Sequence, residues 1–304
     1  MKRDGHIQMM TKHSSMNELY ANIITDLKYD GRLVESYQNG SRIGELLELL
    51  NYQVTLTDPT KLCITHPKRK WKENYALAEF LFYVGANRKV GSMPHKATIW
   101  GIISDEWDEV ESNYGTYIFN SNWLRTVEEL MVNPGSRRAV IPILNEGHFH
   151  KNDKDYPCTG YIQFQIRESK LYLTWNMRSC DAIFGLCNDM FCASMIQQMM
   201  LNELCLDSAQ LAHCGGERLR VTLGNLTFNL GSLHIYKRHW GLVFEDVSEW
   251  RKYSSKSFKL KPNCIPDREF KRRFGVYPED KVKDIDAKIT DFYSTHIAGG
   301  DFCT

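Results

Sequence analysis

The residues of this chain that could do chemistry are a cysteine, a carboxylate inside an apolar run and a scattered set of arginines. Cys158 lies between Pro157 and Thr159, at the start of a predicted strand rather than within an apolar run. A thiol becomes a nucleophile when nearby cations or donors stabilise its thiolate, so the standing of Cys158 depends on its neighbours. Alone it reads as a packing thiol. Glu79 is a lone carboxylate within YALAEFLFYVGA, residues 75–86, and sits either on an exposed edge or buried with a raised pKa suited to proton transfer. Arg42 in NGSRIGE, Arg137 and Arg138 in NPGSRRAV, and Arg178 in NMRSCD are candidates for a phosphate site, because planar guanidinium groups donate in pairs to its oxygens. Taken singly, each reads as a surface ion pair.

Positioning such groups needs a folded frame, and composition allows one. The chain has 304 residues, 42% of them hydrophobic and 25% charged, enough for a sizeable core in one large domain or one domain plus an appendage. Its formal net charge of +1 argues against a general polyanion binder, which needs surplus lysine and arginine, so no direct nucleic-acid binding is expected. The polar N-terminus lacks the apolar core of a signal peptide and no later run is long enough to span a membrane, which gives a cytoplasmic expectation. Nine cysteines, an odd number, fit reduced thiols better than a disulfide framework. There is no CxxC pair, and His148 and His150 have no cysteine or carboxylate at zinc spacing, so no metal is expected.

Residues 75–86 are apolar on most sides and predict a buried helix that stops at Gly85. From Trp100 to Tyr117 aromatic, acidic and turn residues mix, as in an irregular, site-lining segment. Short strands are predicted over 139–144, 160–168, 170–177 and 220–230, with a hairpin turn at Glu168, Ser169 and Lys170. Residues 190–206 predict a buried helix with Asn188 and Asp189 at its cap. Strands interleaved with buried helices indicate an α/β or α+β domain. From about residue 246 the sequence turns charged, and Lys271, Arg272 and Arg273 read as a solvated surface.

In order and spacing these motifs resemble the thymidylate synthase superfamily over roughly residues 35–245. The carriers are Pro157 and Cys158 followed by Gln163 and Phe164; Arg178, Ser179, Cys180 and Asp181 followed by Gly185, Leu186 and Asp189; Gly231 through His239 in GSLHIYKRH; Ser136, Arg137 and Arg138; and Glu79. Three departures, Thr159 after the cysteine, Ser232 before the His-Ile-Tyr motif, and Asp189 where uracil enzymes carry Asn, resemble the phage deoxycytidylate hydroxymethylase branch. Chemistry supports the last one independently, since a carboxylate suits the exocyclic amine that cytosine carries in place of O4.

The resemblance implies a thymidylate-synthase-type α/β (α+β) fold, a large mixed sheet packed by helices, with one sheet face as a homodimer interface. It implies a catalytic domain over residues 1–245 and leaves 246–304 as an extension without an assigned role; STHIAGGDFCT does not match the tail that thymidylate synthases close over folate. The implied reaction is dCMP 5-hydroxymethylation with 5,10-methylenetetrahydrofolate as co-substrate, Cys158 adding to C6, Glu79 moving protons and Asp189 reading the base, in the context of precursor supply for phage DNA modification. Arg42, Arg178 and Ser179 would hold phosphate, with Arg137 and Arg138 reaching in from the second subunit. His234 and Tyr236 would hold the 3′-hydroxyl, Gln163 and Cys180 would complete the nucleotide site, and Asp181, Trp100 and Glu79 would meet folate. CMP as substrate, reductive methylation of dCMP or dUMP, and a catalytically silent nucleotide-binding protein remain open alternatives.

Overall fold

The structure, a computed structural model, describes residues 11–38, 40–91, 98–150, 154–213, 219–245 and 247–298. In chain order its strands are β1 (Thr11–His13), β2 (Arg32–Gln38), β3 (Ser41–Leu56), β4 (Val140–Pro142), β5 (Thr159–Arg167), β6 (Lys170–Met177), β7 (Cys180–Asp181) and β8 (Thr222–Tyr236). The helices are α1 (Met16–Asp30), α2 (Glu73–Gly85), α3 (Thr98–Ile103), α4 (Gly115–Ile118), α5 (Ser121–Val132), α6 (Leu186–His213), α7 (Trp240–Val243), α8 (Arg268–Phe274) and α9 (Val282–His296). One mixed sheet runs β1-β3-β8-β6-β5-β4, with β2 on β3 and β7 on β8. β8 and β6 are parallel, whereas β5 returns antiparallel to β6 through a tight turn in which Glu168 and Ser169 take φ of 50° and 56°. Two successive positive φ values give the twist that lets a two-residue hairpin close.

Period-two alternation decides which sheet face is dry. Leu171, Leu173 and Trp175 of β6 and Leu226 and Phe228 of β8 are fully buried, with the Trp175 and Phe228 rings stacked 5.9 Å apart. Their neighbours on the other face are polar: Gln53 donates to Asn229 at 2.6 Å, and Asn229 to Asn176 at 2.9 Å. α6 lies on the dry face. Its stretch 190–200 is buried all round, which a helix tolerates only when covered on every side. The sheet covers one side; α2 and α5 cover others.

α2 carries Glu79 and is itself clamped. Its first turn holds Glu73, whose two carboxylate oxygens accept from the Tyr293 hydroxyl and, at 3.4 Å, from the Cys63 thiol. Phe258, Phe270, Phe274 and Phe292 join the same hydrophobic core as the sheet. The segment beyond residue 246 thus packs on the back of the helix that bears Glu79. Of its basic cluster, Arg272 and Arg273 are exposed, Arg273 in a two-pronged pair with Asp291, whereas Lys271 is drawn in and donates to the Phe119 carbonyl at 2.8 Å.

α2 ends at Gly85 as predicted, but not through the glycine's backbone freedom. The left-handed residue is Ala86, with φ of 47°, and glycine is needed at 85 because a Cβ there would lie 2.3 Å from the Val276 carbonyl oxygen. Gly115 is tighter still, its virtual Cβ 1.8 Å from the Tyr83 carbonyl oxygen. Neither contact can yield without moving backbone. Gly115→Ala is expected to destabilise the fold by about 3 kcal/mol, the upper end of overpacking penalties, read as a lower urea midpoint with unchanged slope.

Candidate active site

Sheet register brings the motif residues to one end of the strands. Thr159 at the start of β5 pairs with Met177 at the end of β6, and Met177 pairs with Leu230 of β8. Cys158 and Arg178 therefore face each other, with the Arg178 N–H donating to the Cys158 carbonyl at 2.8 Å. One step further, Cys180 and Asp181 of β7 pair with Leu233 and His234 of β8. Asp181 then accepts the N–H groups of Ile183 at 2.6 Å and Phe184 at 3.4 Å, which turns the chain into α6.

Arg178 is bound to the cysteine loop rather than free. It donates to the Tyr156 carbonyl at 2.7 Å and the Pro157 carbonyl at 3.1 Å, stacks 4.9 Å over the Tyr156 ring, and reaches the Cys158 sulfur at 3.8 Å. Burial pushes the Cys158 thiol up to about 11; Arg178 opposes that shift, and Asp189, Asp155 and Asp181 add to it. The sulfur is thus protonated at neutral pH, and its proton must leave as it adds to a substrate.

Asp189 departs from the capping role. α6 begins at Leu186, so Asp189 lies inside its first turn, 8% exposed, and no hydrogen-bond partner for its carboxyl is found among the described residues. Burial, followed by the nearby Glu79 charge, drives its pKa well above the usual carboxylate range. A carboxyl so placed holds its proton more readily than an exposed one and, when protonated, has one donor and one acceptor to offer. Asn188, not Asp189, serves the local structure, donating to the Phe184 carbonyl at 3.2 Å and accepting the Trp71 indole at 2.9 Å.

Glu79 proves to be buried, 7% exposed. Desolvation raises its pKa to about 7, against the opposing hydrogen bonds of Tyr83 and Tyr75. Tyr83 links it onward, since its ring lies 5.5 Å from Tyr114, a buried tyrosine close enough to Thr159 and Cys158 for both to act on its hydroxyl electrostatically. Thr159 itself accepts the Trp175 indole at 2.8 Å, which accounts for a small hydroxyl side chain behind the cysteine. Tyr75, Tyr83 and Tyr114 escaped the sequence reading. The two on α2 were visible as hydroxyls four residues either side of Glu79.

His234 is buried with its Nδ1 unpartnered, and burial keeps its pKa low, so the ring is neutral; Tyr236 lies edge-on to it at 5.4 Å beneath the Arg238 guanidinium. Ser179 and the buried Cys180 flank this corner. Trp100 is 5% exposed, its indole donating to Tyr75 at 3.0 Å, while Phe184, in the turn before α6, is 60% exposed and lies edge-on to His239 at 4.9 Å. Not everything converges. Arg42 lies in the β2–β3 hairpin facing Glu35 at 3.3 Å. Gln163, five residues along β5 from Cys158, donates to the Arg137 carbonyl at 3.0 Å, which places Arg137 and Arg138 about 16 Å down the strand from the sulfur. Both guanidinium side chains are exposed. Among the described residues no group of three or more His, Cys, Asp or Glu could hold a metal ion, all seven described cysteines are free, and no helix is long and apolar enough to cross a membrane.

The chain is similar to known proteins in sequence and in fold. The family model for thymidylate synthase matches residues 18–274. The deoxycytidylate 5-hydroxymethyltransferases of Enterobacteria phages T4 and T2 are each 28% identical over 180 residues, covering 56% of this chain and 70% of theirs. The thymidylate synthase of Fusobacterium nucleatum is 26% identical over 204 residues, 64% of this chain and 65% of that protein. In three dimensions the chain resembles the thermostable thymidylate synthase A of Bacillus subtilis with a TM-score of 0.62 at 20% identity, covering 88% of this chain and 92% of that one.

Proposed function

The chain belongs to the thymidylate synthase family, one-carbon transferases that act on pyrimidine nucleotides with methylenetetrahydrofolate as co-substrate, and from that premise we propose that it hydroxymethylates dCMP at C5. The observation that carries the choice of base is Asp189. Cytosine presents N3 as an acceptor and its N4 amine as a donor, and a buried carboxyl with a raised pKa and no other described partner answers both when protonated. Passing its proton to N3 as charge develops then leaves a carboxylate against two N–H groups.

The Cys158 sulfur adds to C6, which makes C5 the nucleophile that takes the one-carbon unit from methylenetetrahydrofolate. Loss of the C5 proton to base, with departure of tetrahydrofolate, then leaves an exocyclic methylene at C5. Water adds to it with Glu79, poised near neutrality, receiving the proton, and the C6–S bond then breaks to release the 5-hydroxymethyl nucleotide. Arg178 and Ser179 serve the phosphate, which Arg42 joins only if the β2–β3 hairpin folds over it, His234 and Tyr236 serve the 3′-hydroxyl, and Asp181 and Phe184 the folate side, with Trp100 buried behind them against Tyr75. Arg137 and Arg138 are too far along β5 to serve their own site, and their exposed guanidinium groups suit the phosphate of a second subunit docked on the polar sheet face.

Product analysis tests the reading. Incubating the protein with dCMP and methylenetetrahydrofolate is expected to give a nucleotide heavier by CH2O, together with tetrahydrofolate. A gain of CH2 with dihydrofolate would establish reductive methylation instead, and equal turnover of CMP would remove the deoxyribose from the assignment. No product from dCMP, CMP or dUMP, in protein that binds nucleotide and folate, would favour the silent alternative.

A further inference from the structure

α2 stacks three oxygen-bearing side chains on one face, because Tyr75, Glu79 and Tyr83 recur every four residues, a spacing that sets side chains one above another. The Tyr83 hydroxyl donates to Glu79 Oε1 at 3.2 Å, and Tyr75, one turn before Glu79, lowers the carboxyl's pKa from the other side. Trp100 orients Tyr75. Its indole N–H donates to the Tyr75 oxygen at 3.0 Å, which leaves the Tyr75 proton free to turn toward Glu79. The result is a buried row of indole, phenol and carboxylate, met from the far side by a second phenol.

Resting on the hydroxymethyl-transfer reading above, we propose that Tyr75 and Tyr83 are positioning residues that keep Glu79 anionic and aimed, so that water rather than hydride captures the methylene at C5. The two captures ask different things of a base. In the first, the water oxygen bonds the methylene carbon, the exocyclic double-bond pair moves into the ring at C5, and one water proton passes to the Glu79 carboxylate. That pair then re-forms C5=C6 as the C6–S bond breaks, sulfur leaves as thiolate, and the proton on Glu79 returns to it. The sum is one water added and both side chains restored. In hydride capture, tetrahydrofolate supplies the hydride and becomes dihydrofolate, and the attacking species has no proton to lose. A carboxylate held anionic by two phenols accelerates only the first.

The electrostatics run the same way. Burial alone would carry Glu79 higher than about 7, and the two hydroxyls hold it there. The other titratable groups facing it among the described residues are Asp189 and Cys192 of α6, and these tyrosine substitutions leave both in place. Without either hydroxyl the folded-state pKa rises, the carboxylate becomes scarcer at neutral pH, and the acid limb of the rate profile moves to higher pH.

The test is a set of single Tyr75→Phe and Tyr83→Phe variants and their double, assayed with dCMP and methylenetetrahydrofolate. Each single change is expected to lower hydroxymethyl product formation about tenfold at pH 7 and move the acid limb of kcat upward, with release of tritium from C5 and KM for dCMP less affected. The double variant is expected to raise the share of 5-methyl-dCMP and dihydrofolate among products. Wild-type rates, product ratio and pH profile in both single variants, in protein whose wild type makes the hydroxymethyl product, would overturn the proposal. Failure of the wild type to make that product from dCMP would instead defeat the reaction assignment on which it rests. Should either phenylalanine variant lose the fold, Trp100→Phe removes only the donor to Tyr75, and an unmoved acid limb there overturns the relay.

Discussion

Cys158→Ala is expected to lower release of tritium from C5-labelled dCMP by about 10⁶-fold, the scale on which enzymes lose rate when their nucleophile is removed, while dCMP still binds. The C5 hydrogen becomes labile only after a nucleophile has added at C6, so its exchange reports the adduct directly. The wild-type thiol starts protonated, pushed up chiefly by burial, with Arg178 at 3.8 Å as the opposing cation. Cys158→Ser should therefore fare little better than alanine, because a hydroxyl gives up its proton far less readily in the same surroundings. A second readout avoids dependence on rate. With 5-fluoro-dCMP and methylenetetrahydrofolate the fluorine cannot leave as a cation, so wild-type protein should accumulate a covalent nucleotide adduct visible in its intact mass, and Cys158→Ala should not. An adduct that survives in the alanine variant would assign the nucleophile elsewhere.

How far the site was legible in the sequence depends on whether its signals were local. The strands that carry Cys158 and Arg178 alternate cleanly and close on a two-residue turn, so β5, β6 and their hairpin could be read directly. α6 could be read as a buried helix but not its start. Cap-type residues at 188 and 189 invited a boundary there, whereas Asp181 makes the turn that launches the helix at Leu186 and frees Asp189 to face the site. The core role of the C-terminal segment was masked by charge. Phe270 and Phe274 are separated by Lys271, Arg272 and Arg273, and only the helical spacing of the two rings places them inward. Contacts made across the chain, such as Trp100 with Tyr75, leave no local trace, and Arg137 and Arg138 look like site residues in sequence yet lie far down β5.

Asp189→Asn is expected to reverse the choice of base, and the reversal should appear in kcat rather than in binding. An asparagine side chain offers one acceptor and one donor, so it can meet uracil N3–H and O4, or, rotated by half a turn, cytosine N3 and its amine. Binding alone then discriminates weakly. Chemistry does not, because addition of Cys158 to cytosine develops charge that N3 must quench by gaining a proton, and the neutral Asp189 carboxyl can supply one where a carboxamide cannot. Loss of a positioned acid typically costs about 10²–10⁴ in rate, so dCMP turnover should fall by that range with KM nearly unchanged. Uracil already carries its N3 proton and delocalises charge onto O4, where the new amide donor now points, so dUMP turnover should rise from near background. The wild type adds a pH signature. Protonated, its carboxyl answers either base, but once ionised it sets a carboxylate oxygen against uracil O4 or against cytosine N3, so binding of both nucleotides should weaken as pH rises through the elevated Asp189 pKa. In Asp189→Asn this dependence should vanish, and its persistence would mean that some other group reads the base.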